Sequence, residues 1–377
     1  MRVKLKDVCT FYTGTGFPKK YQGQLSGTYP FYKVGDIANN VVSGKVYLEQ
    51  CNNYISEETL ELIKGSIIPK NTIVFAKIGE ALKLNRRAIT STDCLIDNNA
   101  MGIAAKSDKL RTLFFYYFMR NIKMELLAES TTVPSVRKSR LEAYEIDIPS
   151  LDEQKIIEGK LTILSKVINL KEKQLLKLDE LVKARFVEMF GDPVVNDKKW
   201  EIRYFSDLGE LKRGKSKHRP RNDPVLLGGK YPLIQTGDVT NSNTYIKSYT
   251  STYSEEGLKQ SKMWKKGTLC ITIAANIAES AILTFDACFP DSVVGFTPNG
   301  EVISLFIHYW LSFLQPILEE NAPAVAQKNL NVATLEKVGV IVPPLELQNQ
   351  FASFVEEIDK SRLLSNHSLL LLKSMIF

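Results

Sequence analysis

A single pattern runs along this chain twice, in the same order, and it restricts the fold to two like modules in tandem. VKLKDVCTFYTGTGFPKK near the start is matched near residue 200 by WEIRYFSDLGELKRGKSK, which sets Asp7 against Asp207 and Gly14 against Gly214. YPFYKVGDI (Tyr29–Ile37) is matched by YPLIQTGDV (Tyr231–Val239). KGSIIPKNTIVFAKIGEA (Lys64–Ala81) faces KGTLCITIAANIAES (Lys266–Ser280), and CLIDNNAMGI (Cys94–Ile103) faces CFPDSVVGF (Cys288–Phe296). Last, IDIPSLDEQKII (Ile146–Ile157) faces VIVPPLELQNQF (Val340–Phe351). The separation drifts only from 200–202 in the first blocks to 194 in the last. A shared vocabulary of turns does not by itself keep five blocks in order.

Each copy has the same internal plan. Short β-branched and aromatic runs alternate with Gly, Pro and Asn turns, which reads as a β-rich globular part. Helical stretches near Leu110–Ala128 and Ile303–Glu320 close each part. A Pro-bearing junction then leads into a long helix, predicted over Leu151–Phe190 in the first copy and Leu345–Phe377 in the second. Apolar residues on the first helix fall at heptad spacing. One seam holds Ile157, Leu164 and Leu178, interrupted by Lys171 and Arg185; the other holds Leu161, Ile168, Leu175, Val182 and Met189. The second helix carries Phe351, Val355, Ile358, Leu369, Leu372 and Ile376, interrupted by Arg362 and Ser365. The pattern predicts pairing of the two helices; packing of each on its own globular part is the alternative.

Composition narrows the class. Of 377 residues, 44% are hydrophobic and 24% charged, which excludes a largely disordered chain. Cys9, Cys51, Cys94, Cys270 and Cys288 are odd in number, with no C-x-x-C pair, so a disulfide scaffold is excluded and a reducing, cytoplasmic setting is expected. The opening MRVKLKDVCTF lacks an apolar signal core, and no run reaches the ~18 apolar residues of a spanning helix, so no membrane association is expected.

No catalytic apparatus assembles from these residues. Gly14–Gly16 lacks the third glycine of a dinucleotide loop and is followed by Pro18. There is no P-loop, and Pro343–Pro344 is flanked by Val and Leu rather than by the polar and aromatic residues of an adenine-methyltransferase loop. Pro290–Asp291 begins a nuclease-like string with no Glu/Asp-x-Lys after it, while Glu153-Gln154-Lys155 and Glu158-Gly159-Lys160 read as charged helix surface. His218, His308 and His367 are distant from one another, so no metal site is expected, and His308 reads as a packed residue.

What remains is a binding surface. The net charge is +7, and Lys212–Arg221 (KRGKSKHRPR) packs six Lys/Arg and His218 into ten residues. Gly214 and Pro220 exclude a regular helix there, so Lys212, Arg213, Lys215, Lys217, His218, Arg219 and Arg221 are predicted on a mobile loop able to approach phosphates or base edges. The first copy has Lys19 and Lys20 at the matching place, then Lys77, Lys83, Arg86 and Arg87, then Arg137, Lys138 and Arg140. Gln327, Lys328 and Asn329 stand at the equivalent of the last group in the second copy. Recurrence at matched places favours duplex DNA.

With these features in place, the chain resembles the specificity (S) subunits of Type I restriction-modification systems over its whole length. The paired junctions IPSLDEQKIIEGKL and VPPLELQNQFASFV carry most of the resemblance, with KVGDI, QTGDV and the AKIGEA and IAANIA turns. Leu347 departs from it, where the first junction has Glu153. The resemblance implies an α+β fold in which two pseudo-repeated mixed α/β target recognition domains are separated by two long helices forming an antiparallel coiled coil. The expected boundaries are 1–147 and 196–341 for the recognition domains, and 148–195 and 342–377 for the helices. It also implies that each domain reads one half of an asymmetric bipartite site in double-stranded DNA. The helices would set the spacing and dock two methyltransferase (M) subunits, and motor-nuclease (R) subunits would join for cleavage. S-adenosylmethionine would belong to the M subunits and ATP with Mg²⁺ to the R subunits, leaving this chain non-catalytic and without cofactor. Two other classes fit the residues taken alone: a two-domain adaptor for protein or glycan, and a degenerate fused restriction or methylation enzyme.

Overall fold

The computed structural model describes residues 1–129, 133–274, 276–320 and 330–375. The chain divides into two compact units, Met1–Lys173 with Ser368–Phe377, and Gln174–His367. The division falls inside both long helices rather than at their ends.

In the first unit a five-stranded sheet runs in the order Cys9–Thr13, Ala100–Ala105, Thr72–Ala76, Arg87–Thr90, Tyr47–Leu48. A three-stranded sheet follows the order Tyr54–Ile55, Tyr29–Tyr32, Leu95–Ile96. The second unit repeats this plan with Gly209–Arg213, Val293–Pro298, Leu269–Thr272, Ser280–Leu283 and Tyr245–Ile246 in one sheet. Its smaller sheet runs Ser251–Tyr253, Leu227–Leu233, Ala287–Cys288 and adds a strand, Met263–Trp264. The central strands TIVFA and LCIT are buried at every position, as expected of β-branched runs covered on both faces.

The register corrects two of the sequence matches. Phe31 pairs with Leu95 and Leu233 with Cys288, so Leu95, not Cys94, is the counterpart of Cys288. Likewise Lys266-Gly267 corresponds to Lys70-Asn71 rather than to Lys64-Gly65. Asn71 (φ 66°) and Gly267 (φ 89°) both take the left-handed turn that feeds a central strand. Their amides donate to Thr90 O and Leu283 O at the same place in the two sheets (both 2.9 Å). Asn tolerates this conformation better than most residues, so the turn is kept without the glycine.

Each globular part closes by pairing its first and last strands: Arg2–Lys4 with Glu145–Asp147, and Glu201–Tyr204 with Gly339–Val342. That closure delivers the chain to the two long helices, Leu151–Phe190 and Leu345–Ser374. Gln154, wholly buried, latches the first helix: its amide donates to Lys109 O and Pro149 O (both 3.0 Å), and its oxygen accepts from Arg111 N (2.9 Å). Gln348 does the same with Glu301 O (3.1 Å), Pro343 O (2.9 Å) and Ile303 N (3.0 Å). The Glu153/Leu347 departure has a local cause. Glu153 forms a reciprocal cap with Ser150, whereas the second junction has Pro344 in that place and Leu347 packs on the core.

The predicted closing helix of the first copy is shorter, Thr112–Asn121 followed by a 3₁₀ turn at Met124–Leu127. It buries Phe114, Phe115, Tyr116, Tyr117 and Met119. Its counterpart, Ser304–Glu320, buries Phe306 and Trp310.

The helix-pairing positions divide between two jobs. Ile157 and Leu161 pack on the globular core of the first unit, so they do not form a helix–helix seam. Ile168 is buried in the first unit, where Leu164 is half-buried and Glu172 pairs with Lys373 (2.8 Å); Leu369 is buried and Leu372 half-buried. In the second unit Val182, Phe186, Met189 and Phe190 join Phe351, Val355 and Ile358 in the core, while Leu175 and Leu178 are half-buried. There the helices run antiparallel: Arg362 meets Asp179 (2.6 Å), Arg185 lies over Phe354, and Phe186 meets Phe351. Val182 and Phe351 therefore serve helix pairing and the globular core together. Ile376 lies outside the described residues. No helix among the described residues is long and apolar enough to cross a membrane.

Candidate nucleic-acid interface

One end of each unit is built from the same four pieces. In the first unit the segment after Cys9–Thr13 bridges to the 97–99 turn, with Thr15 N donating to Ile96 O (2.8 Å). Lys77 N donates to Asn99 O (2.8 Å), and Val136 N to Lys77 O (2.9 Å). The fourth piece is the helix start after Tyr29–Tyr32, where Val34 N donates to Asp97 (3.2 Å). In the second unit Gly214 N donates to Val293 O (2.9 Å), Ile273 N to Ser292 O (3.1 Å) and Leu330 N to Ile273 O (2.9 Å), with Gln235 at the matching helix start.

Most predicted cations of the first unit are exposed. Lys19 and Lys20 stand on a 3₁₀ turn, Lys20 over the Tyr21 ring. The strap from Val136 to Lys77 brings the Lys77 turn beside the Arg137–Arg140 segment. Lys83 pairs with Glu80 (2.7 Å), Arg137 with Glu129 (2.8 Å) and Lys138 with Glu142 (3.5 Å). Arg140 is exposed, and Lys77 and Arg86 are half-buried.

Arg87 is a correction. It is 1% exposed, and its guanidinium donates to Asn85 O (2.6 Å), Asn85 Oδ1 (2.8 Å) and Ile122 O (2.7 Å). Burial lowers its pKa to about 10. A side chain so enclosed joins strand to helix and reaches no ligand.

The basic segment of the second unit is also corrected. Lys212 and Arg213 lie on the edge strand, paired with Gly295 and Val294, and Lys212 meets Glu210. The rest is a fastened loop rather than a mobile one. Gln260 accepts from Lys217 N (2.6 Å) and His218 N (3.1 Å), His218 meets Asp223 (2.9 Å), and Ser261 donates to Lys215 O (2.9 Å). Asp291 gathers both arginines, Arg219 at 3.5 Å and Arg221 closer. Backbone donation from Val225, then the His218 contact, holds Asp223 below its ordinary pKa. All six Lys/Arg side chains remain exposed, so the loop presents fixed positive charge. Gln327, Lys328 and Asn329 lie outside the described residues.

Sequence reasoning passed over Asn222, Gln235 and Ser216, which line a cleft beside this loop. A signal was present: Gln235 opens the QTGDV block where the first copy has Lys33. The carboxylates of the partial nuclease string are engaged elsewhere, Glu153 at Ser150 and Glu158 on Arg111 (2.9 Å). Among the described residues no group of three His, Cys, Asp or Glu is placed to hold a metal ion.

Two copies of one α+β plan, each ending in a long helix, define a tandem-repeat specificity architecture. The Type I restriction modification DNA specificity domain matches residues 1–180 and again 197–373, and the chain belongs to that family. Curated relatives include the Type I restriction enzyme MjaIX specificity subunit of Methanocaldococcus jannaschii, 22% identical over 99% of this chain and 89% of that protein. The putative MjaX subunit of the same organism is 23% identical over 69% of this chain, and the EcoBI subunit of Escherichia coli is 23% identical over 71%. Those two matches span a little under two thirds of the relatives, 64% and 63% of their lengths. Among solved structures, the S subunit of a Type I system from M. genitalium superposes with TM-score 0.55 at 15% identity, over 100% of this chain and 93% of that one. A chain from work on assembly and conformational transition of the type I R-M system gives 0.64 at 16%, over 100% and 95%.

Proposed function

We propose that this chain is the DNA-reading subunit of a Type I restriction-modification complex, itself without catalytic activity. Each unit recognises one half of an asymmetric bipartite duplex site, and the long helices form the frame on which two methyltransferase subunits dock. Motor-nuclease subunits join that assembly, in the cytoplasm. S-adenosylmethionine and ATP/Mg²⁺ are held by those partners.

The observation that carries this reading is the repeated end of the two units: one strand-and-turn scaffold presents different side chains in each copy. Like scaffolds with unlike loops suit two different half-sites. Exposed cations fit the phosphate backbone. Ile156, Ile163, Val167 and Leu170 are exposed apolar residues at spacings of 7, 4 and 3, which place them along one stripe of the first helix. An apolar stripe left in water suits a protein partner. The fastened basic loop favours nucleic acid over an adaptor for protein or glycan.

The test is co-expression of this chain with an adenine methyltransferase subunit of such a system, followed by methylome sequencing. The expected result is methylation at one interrupted motif that vanishes when either protein is omitted. Methylation by the chain alone, or none with its partner, contradicts the proposal.

A further inference from the structure

The reading ends of the two units differ in one physical respect. In the first unit Phe17 stacks on Phe31 (3.8 Å between centroids, 9° between planes), and Lys33 reaches over Phe17 to Gln22 (2.5 Å). Leu233 is the repeat counterpart of Phe31 and packs with Leu226, Tyr253 and Cys288. A cleft of about 230 Å³ opens there. Leu227, Leu233 and Tyr253 line its apolar side, and Ser216, Asn222 and Gln235 its polar side.

Two features of the cleft point to a ligand. Ser216 is 6% exposed, yet its hydroxyl has no hydrogen-bond partner. Such a group is costly to leave unsatisfied. Gln235 is exposed, its amide oriented by donation to Ser251 Oγ (3.2 Å), and its Oε1 has no partner among the described residues. Nor does the Asn222 carboxamide among those residues. The guanidinium of Arg221, also at the cleft, is turned to Asp291. The free chemistry is therefore the Ser216 hydroxyl and two carboxamides beside hydrocarbon.

We infer that this cleft reads an A·T base pair within the half-site of the second unit. Gln235 takes adenine N6 and N7 in the bidentate manner available to Gln and Asn, and the thymine methyl enters against Leu227, Leu233 and Tyr253. Lys33, at the same repeat position, cannot form that pair of bonds, so the two half-sites differ at this letter. The inference rests on the DNA-reading function proposed above.

The experiment is methylome sequencing of cells carrying the methyltransferase partner with wild-type chain, Gln235→Ala, Gln235→Lys or Asn222→Ala. Gln235→Ala is expected to relax one A·T position in one half-site and leave the other half-site intact, which also reports that the variant folds. Gln235→Lys should shift that position toward guanine. With the wild-type complex, replacing the matching thymine by uracil in a synthetic duplex should weaken binding about fourfold. Unchanged letters in all three variants would overturn the inference, as would uniform loss of methylation with no letter relaxed, which marks a backbone contact. An interrupted motif absent from the wild-type sample would instead bring down the DNA-reading function itself.

Discussion

Gln154 and Gln348, 194 positions apart, make the same three hydrogen bonds in the two units. Each ties the first turn of a long helix to the segment that starts the closing helix of its own unit. Removing either side chain leaves two carbonyls and one amide without their side-chain partner. Gln154→Leu and Gln348→Leu are each expected to cost roughly 2–4 kcal/mol, because three backbone groups lose their partner at once. Denaturant unfolding checks this; a loss under about 0.5 kcal/mol would show that water replaces the latch.

Two kinds of basic residue should separate cleanly. Lys215 and Lys217 are exposed, and neither makes a salt bridge among the described residues. Replacement of each by Ala should flatten the salt dependence of DNA affinity by about one unit with stability unchanged. Arg87→Leu should do the reverse. It should lower stability by roughly 2–4 kcal/mol, since Ile122 O and Asn85 lose their donor, while the salt slope holds. Binding titrations at several salt concentrations, paired with melts, distinguish the two.

Much of this was legible in the sequence. Both long helices and Ser304–Glu320 were readable within a few residues, because apolar residues recur at helical spacing through each, and Pro149 and Pro343–Pro344 precede the long pair. The errors share a physical source, which is long-range contact. Nothing around Arg87 announces that Ile122 O waits for it. Ile157 and Leu161 obey heptad spacing, yet the nearest apolar surface is their own globular core. Asn71 hid the Lys266-Gly267 equivalence because two residue types satisfy one backbone conformation. The cleft at Gln235 was hidden because its walls come from segments far apart in the chain, from Ser216 to Ser292.

His308 gives the second unit a pH dependence. Burial pushes its pKa down to about 4, and its ring meets Ser280 Oγ at 3.0 Å. A depressed folded pKa contributes stability that is full above the unfolded value near 6.5 and is lost as pH falls toward 4, since the unfolded chain takes the proton first. A loss on the order of 3 kcal/mol is expected across that window. His308→Gln should flatten the profile there; an unchanged profile would assign the acid sensitivity to other groups.

The exposed stripe on the first helix should matter only to assembly. Ile163→Glu with Val167→Glu changes residues already in water, so stability should move by less than about 0.5 kcal/mol each. Co-purification of the methyltransferase subunit should fall sharply. Full co-purification would place the docking surface elsewhere.

The central claim is that two reading units recognise two half-sites at a distance set by the helices. Adding one heptad to each long helix keeps the Arg362–Asp179 side of the packing in phase and lengthens each by roughly 10 Å. That corresponds to about 3 base pairs, with the duplex turned by about a third of a revolution. Methylome sequencing of cells carrying the lengthened chain and its methyltransferase partner reads the outcome directly. The account predicts weaker methylation of unchanged half-sites separated by a gap about 3 base pairs longer. Full methylation at the original gap would contradict it.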